Sequence, residues 1–519
     1  MSTGKSAAGL ELAANPRPEA AGTSGRAGSG QAICAMVGVT VERETGVPVR
    51  EGVYGDRVVA VEPGGVEFIP AEERHGRPLD LFWTWVSPNL EFATVFVGVI
   101  PVAYFGGAFW LTCIALILGT ALGSASHAIL STWGPRFGIP QMVQSRGAFG
   151  FVGNVLPAGL NTFTAGVGWF IVNSVSGAFA LQSLFGWRFW IGYVIIVVAQ
   201  VAVAFLGHNL VHAFEKTVLP YLAIVFAIAT AVILTKTHFS AGYNPKFGSS
   251  GHQSAAFILA LFISYGYAVG WNPYASDYTR YLPPTVDRRR VGMWAGLGVF
   301  VSCVALEIAG AGVATLHGTS ANPTTNFTAP LGHALGDAVL VGIAIGAVAA
   351  NVLNIYSGSM SFLTLGIELP LRLRRALVAT ASGALGLGIG LAFKAQVGPG
   401  SHYENFLLAI TYWISPYLAV VLLDYWLRRG DYAEREFFDR TRRRWKAPLA
   451  MAAGMAASVP FWDQGHPIPL GYVPKHHPGV GDLSFFVAFA VAGLVYLALN
   501  APGLRERLRS QTRAASSSA

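Results

Sequence analysis

Two tryptophan–asparagine pairs are the groups in this chain best suited to chemistry. Trp169-x-x-x-Asn173 puts an indole and an amide four residues apart, on one face of a helix. Trp271-Asn272-Pro273 puts the same two side chains at a break, where Tyr265-Gly266-Tyr267-Ala268-Val269-Gly270 interrupts an apolar run before the proline. An indole offers a flat face for stacking, and an amide or hydroxyl offers donors and acceptors. Together they suit a planar neutral ring with polar edges. Asn351 and Asn354, three residues apart, and Ser87 and Asn89, flanking Pro88, extend the set of polar readers. Asn272 reads as structural, held beside Pro273.

The elements that must position these side chains are helices in a bilayer. Of 519 residues, 53% are hydrophobic and only 12% charged, against about a quarter in soluble domains. Apolar runs long enough to cross a membrane recur about twelve times: 82–105, 108–132, 150–184, 188–207, 216–236, 255–274, 291–315, 334–362, 373–394, 403–426, 446–461 and 482–500. The fold class is therefore all-α, integral to the membrane. Residues 1–75 lack an apolar run, are rich in Gly, Ala and Pro, and read as a largely disordered tail without a signal peptide. Residues 501–519 read as a short basic, Ser-rich tail. Cys34, Cys113 and Cys303 lie too far apart to suggest a disulfide framework or a metal site.

The net charge of +8 does not point to nucleic acid, because its distribution follows topology. With the N-terminus inside, only Arg188, Lys236, Lys246, Lys394 and Lys475 of the 35 Lys and Arg fall in outer loops. That asymmetry places both termini in the cytoplasm of a plasma-membrane protein. Arg442-Arg443-Arg444 then reads as a topology signal that also meets anionic membrane lipids.

Proline breaks occur in two corresponding places, Ser87-Pro88-Asn89 opening one group of five spans and Tyr265–Pro273 opening the next. Paired interruptions of this kind mark transporters built from inverted repeats. Four motifs carry a family resemblance: Gly134-Pro135-Arg136-Phe137-Gly138-Ile139-Pro140-Gln141 with Gln144-Ser145-Arg146-Gly147-Ala148-Phe149-Gly150; Trp169-x-x-x-Asn173; Trp271-Asn272-Pro273-Tyr274-Ala275-Ser276-Asp277-Tyr278-Thr279-Arg280-Tyr281; and Asn351-x-x-Asn354-x-Tyr356-Ser357. In this order and spacing they resemble the nucleobase–cation symporter family, purine–cytosine permease branch. The resemblance implies a leucine-transporter-like fold with 5+5 inverted repeats and two peripheral helices. The core would run over 76–430, with repeat one about 80–236 and repeat two about 255–426. A loop and two peripheral helices would follow over 431–500.

By the same resemblance, Trp169 and Trp271 would sandwich a nucleobase, with Asn173 and Asn351 on its rim and Asn354, Ser87 and Asn89 nearby. The implied activity is import of cytosine, a purine or a related heterocycle by alternating access. Sodium-coupled relatives place two hydroxyl side chains on the eighth span, but no Ser or Thr occurs from Leu331 to Tyr356. A hard cation needs several oxygen ligands, so the departure favours a proton over sodium. A buried carboxylate suits a proton, and Glu91, two residues beyond Asn89, is the chosen carrier; capping of the unwound backbone is an equal alternative. Asp277 and Arg280 read as an ion pair in an inner gate. His208 and His212 are one turn apart but lack a third ligand, and no GxSxG, P-loop, HExxH or CxxC motif occurs, so neither a metal, a cofactor nor an enzyme is expected. The alternatives left open are sodium-coupled uptake of a hydantoin- or allantoin-like compound, an amino-acid symporter of the same fold, and a channel or receptor-like membrane protein.

Overall fold

The computed structural model describes residues 47–50, 65–205, 208–246, 252–316, 322–367, 381, 383–389, 402–464 and 470–517. All of these belong to one compact unit, Gly46–Ala519. Among the described residues eight helices are long and apolar enough to cross a membrane, and a bent pair at Asp80–Ala103 makes a ninth span. The shorter helices Phe189–Phe205 and Lys446–Ser458 match the expected fourth and eleventh spans. Of the expected ninth span, only 381 and 383–389 are described, as helix, and the remainder lies outside the described residues. The twelfth helix, Ser484–Ser517, continues through most of what the sequence suggests is a tail.

The two proline breaks are not equivalent. In the first span the half-helix Asp80–Val86 tightens into a 3-10 turn, Ser87–Asn89. Leu90 (ψ 68°) and Glu91 (φ −151°, ψ 172°) then leave the helical region, and a second half-helix, Phe92–Ala103, departs at 58°. At the sixth span Gly270 and Trp271 keep right-handed helical dihedrals, so Gln253–Val269, the turn Asn272–Tyr274 and Ala275–Thr279 run on as one span. Pro273 has no N–H to donate, but a tight turn absorbs the loss: Tyr274 N–H reaches Trp271 O at 3.0 Å. The cavity-lining interruption expected at Tyr265–Pro273 is therefore a local tightening, and the true break is in the first span.

Backbones approach closely through small residues, the usual means by which helices associate in lipid. A Cβ on Gly98 would fall 1.7 Å from Glu307 O, and one on Gly310 1.9 Å from Val95 O, which presses the first span onto the seventh. On the second span, Gly119 and Gly123 lie against Leu261 and Ala268 of the sixth, and Ala128 lies under Gly292 and Gly296 of the seventh. The third span packs on the fourth and eighth, and the fifth on the eighth. The pairings one–seven and two–six exchange when each span is swapped for the one five places on.

Parts of the expected tail are ordered. Phe68 exchanges backbone hydrogen bonds with Pro48 and Arg50 (3.0 Å each), Ile69 N–H donates to Gly138 O (3.1 Å), and Arg74 donates to Ile69 O and Pro135 O (2.9 Å each). Backbone bonds, the Arg74 side chain and the buried Phe68 and Ile69 hold the segment, too few apolar residues for composition to reveal it. Residues 1–46 and 51–64 lie outside the described residues.

Gly98→Ala tests the packing. Backbone against backbone cannot be relieved by a rotamer change, so the helices must part, at a cost of about 1–3 kcal/mol or more. The purified variant is expected to unfold at a lower temperature than wild type, whereas Gly242→Ala, with nothing within 4 Å of the added atom, is expected to match it.

Candidate functional site

The two interruptions meet side chain to side chain. Trp271 Nε1–H donates to Asn89 Oδ1 at 2.9 Å, and Asn89 Nδ2 donates back to Trp85 O at 2.7 Å. The indoles of Trp85 and Trp271 pack edge to face, 5.6 Å apart. Asn89 thus spends both ends of its amide joining the spans. Ser87 faces the fifth span, its hydroxyl 3.4 Å from Glu215 O.

Trp169 sits at the end of one π-helical turn, Thr164–Trp169, and from Phe170 the helix is α again, so Asn173 follows on the same face. Its ring is edge-on to Tyr267 (5.3 Å) and Phe406 (5.1 Å) and lies over Gly270, where a Cβ would be 3.1 Å from Cζ2. Trp169 is therefore brought beside Trp271's chain neighbour. Trp271 packs its own ring on Trp85 and Tyr274, and among the described residues the two indoles make no ring contact with each other.

The asparagines form one oriented cluster. Asn351 Nδ2 donates to Phe170 O (2.9 Å) and to Gln200 Oε1 (2.8 Å). A backbone carbonyl only accepts, so Asn351 is locked with its Oδ1 pointing the other way. That oxygen receives Asn173 Nδ2 (3.0 Å) and Asn354 Nδ2 (3.3 Å). Both neighbours are consequently oriented too, and among the described residues Asn173 Oδ1 and Asn354 Oδ1 are left buried without a partner. Asn351 is saturated inside the protein; Asn173 and Asn354 present the open acceptors.

Glu91 caps the second half-helix of the first span. Its Oε2 accepts Ala93 N–H at 2.9 Å, and its Oε1 accepts the hydroxyl of Tyr267 at 3.1 Å. Tyr267 also touches Thr94 Oγ1 (2.6 Å), which donates to Asn89 O (2.7 Å). Gly346 of the eighth span packs onto this corner, where a Cβ would meet Leu90 O at 2.5 Å.

Asp277 and Arg280 are both buried, but the expected ion pair between them is not formed. Arg280 keeps right-handed helical dihedrals and its N–H still donates to Ser276 O at 3.0 Å, but each of the two side chains takes partners elsewhere. Asp277 Oδ1 accepts Gln141 N–H (2.9 Å) from the loop after the second span. Arg280 donates to Gly65 O (2.7 Å) and to the hydroxyls of Tyr281 and Tyr356 (3.1 Å each). Each ties the sixth span to a different element.

Several participants escape sequence reasoning: Tyr267, Thr94, Gln200, and the fully buried Glu215 and His127. Gln200 and Glu215 carry a signal, being lone polar residues within or against apolar runs; Tyr267 and Thr94 carry none. Among the described residues no three His, Cys, Asp or Glu gather as a metal site, and the side chain of His208 lies outside them.

A family model described as permease for cytosine/purines, uracil, thiamine, allantoin matches residues 68–488. The chain belongs to this permease family. The permease is 29% identical over 477 residues to YxlA of Bacillus subtilis, covering 88% of this chain and 99% of that protein. It is 27% identical over 489 residues to the purine-cytosine permease fcyB of Emericella nidulans, covering 87% and 93%. In fold it is similar to Mhp1, a nucleobase-cation-symport-1 family transporter solved closed with bromovinylhydantoin bound (TM-score 0.66, 18% identity, 87% of this chain and 96% of that one). A Na+-coupled sialic acid symporter shares the fold more distantly (TM-score 0.57, 10% identity, 82% and 90%). The all-helical, leucine-transporter-like architecture expected from the resemblance therefore holds.

Trp271→Phe keeps a ring in the permease but removes the N–H that reaches Asn89. Leaving a buried acceptor unpaired costs about 1–3 kcal/mol, so a lowered thermal unfolding midpoint is expected. An unchanged midpoint would mean the joint between the spans does not depend on that bond.

Proposed function

We propose that this permease is a secondary active symporter that imports a nucleobase, cytosine or a purine, by alternating access and draws on a proton gradient. The observation that carries the substrate half is the pair of open carbonyls, Asn173 Oδ1 and Asn354 Oδ1, fixed by the lock of Asn351 on Phe170 O. Two acceptors in one buried cluster call for a ligand with N–H donors on one edge, and amino-bearing bases have them. Trp169 and Trp271 supply the stacking faces, with the base entering between the third and sixth spans. Asn351 acts as the orienter of the readers, and Ser87 and Asn89 hold the first break in shape.

The same pattern supports an inverted repeat, since the pairings of spans one, two, six and seven exchange under a five-span shift. That four-span bundle would rock against spans three, four and eight. The lysine and arginine asymmetry supports a plasma-membrane orientation with both termini in the cytoplasm. Asp277 and Arg280 would then close the inner gate, each through its own partner.

Proton coupling fits Glu91. Ionised, it accepts from Tyr267 and Ala93; protonated, its O–H donates to Tyr267, whose hydrogen turns to Thr94, which keeps its bond to Asn89 O. A proton at the first break thus turns the Tyr267 hydroxyl toward Thr94, whose own bond ends on Asn89, the residue that accepts from Trp271. Sodium is disfavoured because Gly346 packs straight onto Leu90 O where a cation would need room and hydroxyl ligands.

Whole-cell uptake tests these statements. Trp169→Ala and Trp271→Ala are each expected to abolish uptake while surface protein persists, and near-normal transport by either would remove the stacking role. In competition, N4,N4-dimethylcytosine is expected to compete about tenfold or more weakly than cytosine, the loss of one donor to a buried acceptor; equal competition would refute the acceptor reading. Glu91→Gln is expected to lose acid-stimulated, protonophore-sensitive uptake, and its retention would exclude Glu91 as carrier.

A further inference from the structure

Away from the central site, a cavity of about 450 Å³ opens where the tenth span ends at Leu427, the eleventh helix begins at Lys446 and the twelfth passes Tyr496 and Asn500. Its wall carries Arg428, Arg443, Arg444 and Lys446 against one carboxylate, Asp424. The carboxylate is already occupied: its oxygens accept the hydroxyls of Tyr496 (2.7 Å) and Tyr432 (2.8 Å), and Arg444 stands 3.7 Å away. Arg428 is committed to Glu436 at 2.9 Å, and Arg442 pairs with the same residue. Burial alone would raise the Glu436 pKa, but hydrogen bonds from Arg428 and Arg442 hold it below the usual value, so that acid is ionised and spent. What remains is positive. Arg443 is exposed with no side-chain partner among the described residues, and Lys446 has only a 3.4 Å bond to Asn500.

The surroundings tell water-soluble anions from lipids. Trp445 (61% exposed) and Trp426 (67%) flank the opening, the placement of interfacial aromatics. Leu449, more than half exposed, follows Lys446 and Trp445 by one turn down the eleventh helix. The first turn of the eleventh helix adds the partial positive charge of a helix N-terminus. We infer that this cavity binds the headgroup of an anionic phospholipid, with the phosphate between Arg443, Arg444 and Lys446 and the acyl chains running past Leu449. Basic pockets between membrane helices on the cytoplasmic side take such headgroups.

The site is stitched to the loop that reaches the gate. Ala148 lines the cavity, Arg428 Nη1 lies 3.5 Å from Gly147 O, and Phe151 N–H donates to Arg442 O at 3.0 Å. Gly150 makes this join possible: its φ is +69°, and a Cβ would sit 2.8 Å from Arg442 O and Arg444 N. A headgroup on the arginines therefore rests against the helix 146–153, a few residues from the Gln141 N–H held by Asp277.

The test uses the purified full-length protein in a zwitterionic detergent, following the thermal unfolding midpoint during titration. Dioctanoyl phosphatidylglycerol is expected to raise the midpoint and saturate, whereas dioctanoyl phosphatidylcholine and inorganic phosphate at equal concentration are not. Arg443→Gln with Lys446→Gln, two exposed positions, is expected to fold normally and to shift half-saturation by about tenfold or more, from the charge lost. An equal response to phosphatidylcholine, an equal response to phosphate alone, or an unshifted titration in the double variant would each overturn the proposal. Uptake plays no part in the readout, so the outcome is independent of the transport reading.

Discussion

A backbone carbonyl or amide in hydrocarbon must find a partner, and at Leu90–Glu91 the first span leaves the helix and gives up its own. Everything at the centre of the molecule is arranged around that debt. Glu91 turns its carboxylate to cap the next half-helix, Thr94 reaches back to Asn89 O, and Tyr267 of the sixth span closes the circuit from outside. Asn89 then has a rigid frame from which to accept the Trp271 indole. The polar groups that satisfy the break are thus the same groups that would sense substrate and proton.

The amide cluster shows the same economy by another route. One carbonyl, Phe170 O, cannot exchange donor for acceptor, and through Asn351 it decides which edge two further amides display. If these amides read the substrate, as proposed, its specificity is inherited from the backbone. Glycine-mediated contacts between spans one and seven and between two and six keep the frame stiff enough for that inheritance to matter. Alternating access, as proposed, would then place relative motion between packed groups of helices.

Spacing made part of this legible. Trp169 and Asn173 share a helix face, and Asn351 and Asn354 sit three apart in an apolar run, so each pair's shared face follows from helical geometry. Proline was a poorer guide: Pro88 and Pro273 look alike in sequence, yet only the first lies beside residues that abandon helical dihedrals. Short-range pairing was misleading at Asp277 and Arg280, because each side chain is taken up by partners distant in sequence, Gln141 for one and Gly65 and Tyr356 for the other. The hydroxyl and amide partners were beyond reach, since Asn173 meets Asn351 across 178 positions and Thr94 meets Tyr267 across 173. Such contacts are products of tertiary packing, with no local pattern to announce them.

The π-helical turn at Thr164–Trp169 has a consequence for how this protein could diversify. A π turn holds one residue more than the α turn it replaces, and such turns arise as single-residue insertions. Upstream of it, Asn161 is anchored to Ser361 at 2.7 Å; downstream, Trp169 and Asn173 face the centre. Loss of one residue from the turn would rotate the indole and the amide together, by about 100° about the helix axis, while leaving every side chain in the set unchanged. Chain length at this turn, as much as residue identity, would then be a lever on what the protein recognises.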